Sequence, residues 1–545
     1  MKKILKLLLL LLLITIGSGC RKDFLDVDSK TNLTLDNYFT SYEECRNATA
    51  PLYNIVWYEF STRFYFNLGD GRGNNLFTPY SSDESFIRLT ETGETPMLNE
   101  AFESLYIVVT QADYVVNNID KALEHNVTVK HVNACKGEAR FMRGLAYWYL
   151  GSIWRDVPII EDPAATAKNF QIRPNFFEDV LQYAIRDLEF AAEWLPGTDV
   201  PGRVTKSSAN AALARLYITA ACYARGNKFT SRWPTTASEY YTKARVAAKK
   251  VIDDPQYKLM EDYEELFRMQ NNNNSESLFA LQFVPGSSVY GTGNRNQEYL
   301  GSSTLLTGGL NAWGGSTFAS GELVELMHNR TETKRKKATF FYPGATYEYL
   351  GGNTPEGRWV VKQADYRYPN IKKHIVGGPA DTDGMAINDN SGLATPMIRL
   401  AEVYLLYAEA ILGLDASTMD TEALKYFNMV RERAVMDPVD EITLADLWHE
   451  RRVELALEGQ FWYDMVRRAY WDEQWVITYM NNQNRSRYYY YMSNSVPNGF
   501  TWRDQTDEKE SNLATPQRLR LPYPATELII NPLLKESPVQ FDFGN

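Results

Sequence analysis

The sequence predicts a mostly α protein, built from stacked pairs of antiparallel helices that carry long irregular loop insertions. Three observations lead there. Apolar residues recur at three- and four-residue spacing through most of the chain. The helical segments come as neighbours joined by short turns, which is the logic of a helical repeat. Two blocks, 282–320 and 340–395, break the pattern with Gly, Asn, Ser, Asp and Pro, as loops do. With 545 residues, 44% hydrophobic and 23% charged, the chain has material for a large core and lacks the composition of a disordered polymer.

The elements follow in order. Lys2, Lys3 and Lys6 precede an apolar run, Leu7 to Ile16, that is too short for a membrane span of about 20 residues. Residues 1–19 therefore read as a signal peptide. Gly17-Ser18-Gly19-Cys20 resembles a bacterial lipobox, with Gly17 where Leu is usual, so Cys20 is the expected site of lipidation. Several acyl chains there would give stable anchoring where one alone would not. Residues 20–33 form the tether behind it. Losing the three leader lysines moves the net charge from −11 to −14.

Helical patterns then cover 97–124, 132–154, 176–194, 205–226, 237–252, 396–412, 421–434 and 444–470. In the fourth, Thr205 or Ser207 caps the start, Ala212, Leu213, Leu216, Tyr217 and Ala220 form the stripe, and Gly226 closes the end. Ala-rich, Tyr-tipped faces recur at 144–150, 211–217 and 401–410 without a regular repeat signature, so the repeats are degenerate. Residues 475–503, with four consecutive tyrosines from Tyr488 to Tyr491, make a third excursion; beside Arg485 and Arg487 this reads as an exposed loop or a partner contact.

The acidic balance excludes general nucleic-acid binding, which is built on clustered Lys and Arg. Cys45, Cys135 and Cys222 lie far apart and read as small buried helix residues. Catalytic patterns are missing as well. His449-Glu450 has Val453 where a zinc motif needs its second histidine; no GxSxG or GxxxxGK[ST] occurs; and the glycines of GDGRGNN, Gly69, Gly71 and Gly73, read as a turn. Asp381-Thr382-Asp383-Gly384 reads as an Asp/Gly turn, since its Gly comes too early for a calcium loop and no Glu closes it. No catalytic residue, metal or cofactor is expected.

Several ordered motifs resemble the RagB/SusD family of outer-membrane lipoproteins, from Cys20 to the C-terminus. They are Phe24-Leu25-Asp26, GEARFMRGLAYWYLGSIWRDVPII at 137–160 with Arg155 in place of a turn Gly, RVTKSSANAALARLY at 203–217, PMIRLAEVYLLYAEA at 396–410, ERRVELALEGQFWYDMVR at 450–467, and LRLPYPATELIINPLLKE at 519–536. The resemblance implies a tetratricopeptide-like helix-pair superhelical scaffold, with a SusD-like helical region over 34–270 packed as one unit on a RagB/SusD region over 271–545. It also implies a binding protein that captures glycans or other nutrients for a SusC-like TonB-dependent transporter at the outer membrane. A surface glycan-cleaving enzyme and a peptide- or protein-capturing lipoprotein are the alternatives. Within 450–467, a continuous helix would bring Glu450, Glu454 and Glu458 to i,i+4 spacing, where they satisfy Arg451 and Arg452 in a structural network.

Sugar recognition needs flat rings for pyranose C–H faces and amides or carboxylates for hydroxyls. In the loops, Trp313 with Asn311 is the first candidate, flanked by two glycines. Tyr290 and Tyr299, with Asn294, Asn296 and Gln297 between them, come next, and Tyr80, after Asn74 and Asn75, adds a ring from the N-terminal half.

Overall fold

A computed structural model describes residues 38–544 except 79–80, 288, 302, 308–316, 353, 363–367, 388–389, 492–499 and 505–512. The leader, Cys20 and the Phe24-Leu25-Asp26 stretch lie outside the described residues, as do Tyr80, Asn311 and Trp313.

Ten helices make the scaffold: α1 (Tyr42–Thr49), α2 (Pro96–Asn118), α3 (Val129–Trp154), α4 (Phe177–Trp194), α5 (Lys206–Arg225), α6 (Ala237–Ile252), α7 (Leu400–Leu412), α8 (Thr421–Arg433), α9 (Leu444–Glu454) and α10 (Phe461–Asn482). Their starts follow from side-chain caps. Thr205 and Ser208 form a reciprocal capping box on α5, Thr236 and Glu239 one on α6, and Asp420 accepts the first N–H groups of α8. Each helix packs on the next from α2 to α6, α6 then packs on α7, and α7 on α8. The alanine faces let them approach closely: α5 buries Ala209, Ala211, Ala212, Ala214, Ala220 and Ala221. One hydrophobic core runs from Phe39 to Leu521. Cys45, Cys135 and Cys222 are all buried within it.

Two expected helices differ. Residues 396–399 belong to a strand, Thr395–Arg399, paired antiparallel with Ser277–Leu281, and α7 starts at Leu400. Pro396 pushes Thr395 toward extended backbone, and the partner strand completes the effect. The 444–470 helix is broken after Glu454. Leu457 and Gly459 have φ of +60° and +70°, and α10 begins at Phe461 and continues to Asn482, so the third excursion starts later than the sequence suggests.

The break explains why the glutamate network is tertiary. Glu450 is held by Arg330, Arg335 (2.6 Å) and Arg431 (2.9 Å). Glu454 is held by Arg399 (2.6 Å), Arg335 (3.2 Å) and Arg433. Glu458, off the helix, takes Arg399 (2.7 Å) and Lys373 (2.9 Å). Arg451 and Arg452 turn elsewhere, to Asp464 (2.9 Å) and Glu322 (2.6 Å). Burial opposes the charge on Glu454, but the three arginines outweigh it and hold its carboxyl down at about 2.

Candidate ligand-binding face

Tyr80, Asn311 and Trp313 adjoin, in sequence, the strands of one small sheet. Leu76–Phe77 pairs antiparallel with Phe318–Ala319, in the register Leu76 to Ala319 and Phe77 to Phe318. In the sequence, Tyr80 follows the first strand, and Asn311 and Trp313 precede the second.

The base of this sheet is set by the ERRVELALEG segment. Arg452 donates from Nε to Asn75 Oδ1 (2.8 Å), from Nη2 to the Asn74 carbonyl (3.0 Å), and from Nη1 to Glu322 (2.6 Å) and the Tyr479 hydroxyl (2.7 Å). Asn74, with φ of +59°, also donates to Glu322 (2.8 Å). Asn74 and Asn75 are therefore internal struts, and the motif helix fixes the origin of the loops.

Four rings gather on the sheet. Phe318 stacks on Tyr368 (centroids 4.9 Å, interplanar 11°), Phe77 lies 5.2 Å from Phe318, and Tyr488 is 5.3 Å from Phe77 and 5.7 Å from Tyr368. Phe77 and Phe318 are buried, while Tyr368 and Tyr488 are half-buried. Such a ledge suits the apolar face of a sugar ring. Tyr488 lies in a strand, Arg487–Tyr491, paired with Phe500–Asp504, which corrects the reading of an exposed loop. Arg485 is buried and donates to the Ile87 (2.9 Å) and Arg72 (2.8 Å) carbonyls.

A second hollow, with about 210 Å³ of free space, is lined by Tyr58, Glu59, Arg63, Tyr290, Arg295 and Glu298 among others. Tyr290 is 68% exposed. Its ring meets Tyr58 edge-on at 4.9 Å and its hydroxyl donates to Glu59. Glu59 pushes the Tyr290 phenol up from its ordinary value. Tyr299 lies at the same hollow but is only 5% exposed, with its hydroxyl 2.7 Å from Asp83 and 3.1 Å from Asn67, so it offers little open ring.

The amides between these tyrosines face inward. Asn294 donates to the Leu393 carbonyl (2.6 Å). Gln297 donates to the Gly377 carbonyl (2.7 Å) and accepts from the Val376 N–H (2.7 Å). Asn296, 3% exposed, donates to Thr395 (3.3 Å). They staple one irregular block to the other. Asp381 likewise accepts the N–H groups of Gly352 (2.6 Å) and Gly378 (2.9 Å), as a turn residue does. Among the described residues no group of acids, histidines and cysteines is arranged to hold a metal, and no helix is long and apolar enough to cross a membrane.

Tyr58, Tyr368 and the placement of Tyr488 were not legible in the sequence. Tyr58 sits in an apolar helical segment, and Tyr368 is brought to the sheet by the pairing of Phe318 with Asn370 across the insertion.

A helix-pair scaffold whose long loops converge on an aromatic ledge is the build of a binding protein, and comparison with known proteins agrees. The SusD family model matches residues 254–539, and a model described as starch-binding, associating with outer membrane, matches residues 23–218. The chain belongs to the SusD/RagB family of outer-membrane nutrient-uptake proteins, which bind and do not catalyse. It is 34% identical to a SusD-like protein of Bacteroides ovatus over 99% of this chain and 98% of that one. It is 26% identical to the starch-binding protein SusD of Bacteroides thetaiotaomicron over 65% of this chain and 68% of that one. A crystal structure of a relative with xylogluco-oligosaccharide superposes with a TM-score of 0.82 at 34% identity, covering 92% of this chain and all of the other.

Proposed function

We propose that this protein is lipidated at Cys20, stands on the outer face of the outer membrane, and captures a glycan for a SusC-like TonB-dependent transporter. The tetratricopeptide-like scaffold of 34–270 and the loop-bearing region of 271–545 work as one unit, and the loops around the Phe77–Phe318 sheet hold the sugar. Trp313, Asn311 and Tyr80 belong to those loops, and Tyr290 extends the surface toward Glu59 and Arg295.

The observation that carries this reading is the 34% identity, across almost the whole chain, to a solved protein with xylogluco-oligosaccharide. A xylogluco-oligosaccharide is therefore the first ligand to test. Calorimetric titration with xylogluco-oligosaccharides, malto-oligosaccharides and laminari-oligosaccharides checks it: saturable binding to one class with no release of reducing ends is expected. Absence of binding to every glycan, or cleavage of any, overturns it. Co-purification of a TonB-dependent barrel from detergent-solubilised membranes tests the partner.

A further inference from the structure

The hollow beside Tyr290 is unevenly charged. Both arginines that line it are committed to acids: Arg63 pairs with Asp83, and Arg295 grips Glu298 through Nε (2.8 Å) and Nη2 (2.5 Å). Glu59 and Glu100 line the same space and have no such partner. Among the described residues, the half-buried Glu59 carboxylate accepts only from the neutral Tyr290 hydroxyl, and exposed Glu100 forms neither a hydrogen bond nor an ion pair. Four carboxylates thus meet two guanidiniums. Burial and then Glu59 push the Glu100 carboxyl up from its ordinary value, and Glu103 adds to the push.

The rest of the lining is rings and carbon. Tyr290, 68% exposed, meets Tyr58 edge-on at 4.9 Å, and Phe64 and Met97 line the same space. A protonated amine answers both features, because it donates charge-assisted hydrogen bonds to carboxylates and is drawn to the face of a ring. A neutral hydroxyl in its place leaves the two like charges unbalanced, and a carboxylate adds a third. With about 210 Å³ of free space the hollow has room for a sugar ring, more than the thin side chain of a lysine fills.

We propose that this hollow is a subsite for a protonated amino sugar, resting on the glycan capture proposed above and adding a sugar class to it. Glu59 and Glu100 hold the ammonium group, and Tyr290 covers the C–H face of the ring that bears it.

The probes are the β-1,4-linked glucosamine trisaccharide and its N-acetylated counterpart, which has the same backbone without the charge. Calorimetric titration of the mature chain in mildly acidic buffer of low ionic strength should show the amine bound about tenfold more tightly, with the gap closing at high salt. Glu100→Gln, at an exposed residue with no ion pair, should fold and bring the ratio of the two affinities toward one, while Glu100→Asp keeps part of the preference. Equal affinities in the parent overturn the proposal, as does a Glu100→Gln variant with the parent's ratio. Preference for a tri-lysine peptide over the glucosamine trisaccharide assigns the hollow to a peptide and overturns it too. If xylogluco-oligosaccharide binds and the two trisaccharides do not differ, the amino-sugar subsite alone falls; if no sugar binds, glycan capture falls with it.

Discussion

The carboxylate of Asp70 accepts the backbone N–H of Gly459 at 2.7 Å, and with its other oxygen that of Leu457 at 2.9 Å. This ties the GDGRGNN turn to the break between α9 and α10. Asp70 is fully buried, and burial pushes its carboxyl up to about 6 despite the three donors it meets. The two backbones touch: a Cβ on Gly69 would lie 2.2 Å from the Gly459 carbonyl, and one on Gly459 2.4 Å from the Tyr65 ring. Gly69→Ala is expected to destabilise the protein by roughly 3 kcal/mol, because backbone on both sides must move. Urea denaturation checks this; a midpoint within error of the parent would mean that the contact is soft.

Glu454→Gln should be among the costliest single changes in the C-terminal half. It leaves Arg335, Arg399 and Arg433 buried around a neutral amide, a loss of about 3–5 kcal/mol at pH 7. The carboxyl is depressed from 4.5 to about 2 in the folded state, so its contribution is present above pH 4.5 and disappears as pH falls toward 2. The parent should therefore lose stability over that range more steeply than the variant, in denaturation curves recorded from pH 5 down to 2.5.

Arg155 holds φ of +74° and ψ of −94°, a conformation that favours glycine, and its guanidinium stacks on Tyr470 at 4.1 Å. Ala at this position loses the stacking and keeps the strain. Gly loses the stacking and relieves the strain. Arg155→Gly should be more stable than Arg155→Ala by about 1 kcal/mol, the reverse of the order at an ordinary helix end.

Trp313→Ala should weaken a confirmed oligosaccharide about tenfold, as expected for loss of one stacked ring, and Tyr290→Ala by less. Tyr299→Phe should leave affinity unchanged and cost stability instead, since its hydroxyl serves Asp83. Titration calorimetry separates these outcomes. Equal affinity in parent and Trp313→Ala would remove that ring from the site.

Cys20→Ser should abolish incorporation of labelled palmitate and shift the protein from the membrane pellet to the soluble fraction. Retention in the pellet with no label would mean another means of attachment.

The helices were legible because their signals are local: Thr205 and Thr236 caps, alanine stripes, tyrosine tips. The break at 455–460 was not, because Leu457 takes a positive φ while hydrogen-bonded to an aspartate 387 residues away. Partners 99 and 80 residues away likewise hid the duties of Asn294 and Gln297. Amides among loop glycines look available for hydroxyls until the backbone of 376–393 is placed beside them. Charge clustering in ERRVELALEGQF was visible as a structural network, but not that its partners come from 322, 330–335, 373, 399, 431–433 and 464.

The pairing of Ser277–Leu281 with Thr395–Arg399 closes the chain at the root of everything between them. Once a loop is pinned at its base, lengthening it costs little: each doubling adds only about 0.6 kcal/mol of closure entropy. Exposed turns within 282–394 can therefore lengthen at little cost, whereas Arg330, Arg335 and Lys373, which hold the buried glutamates, belong to the core beneath them. The strand pair thus acts as a clasp, letting surface turns vary in length without loosening the fold from which they spring.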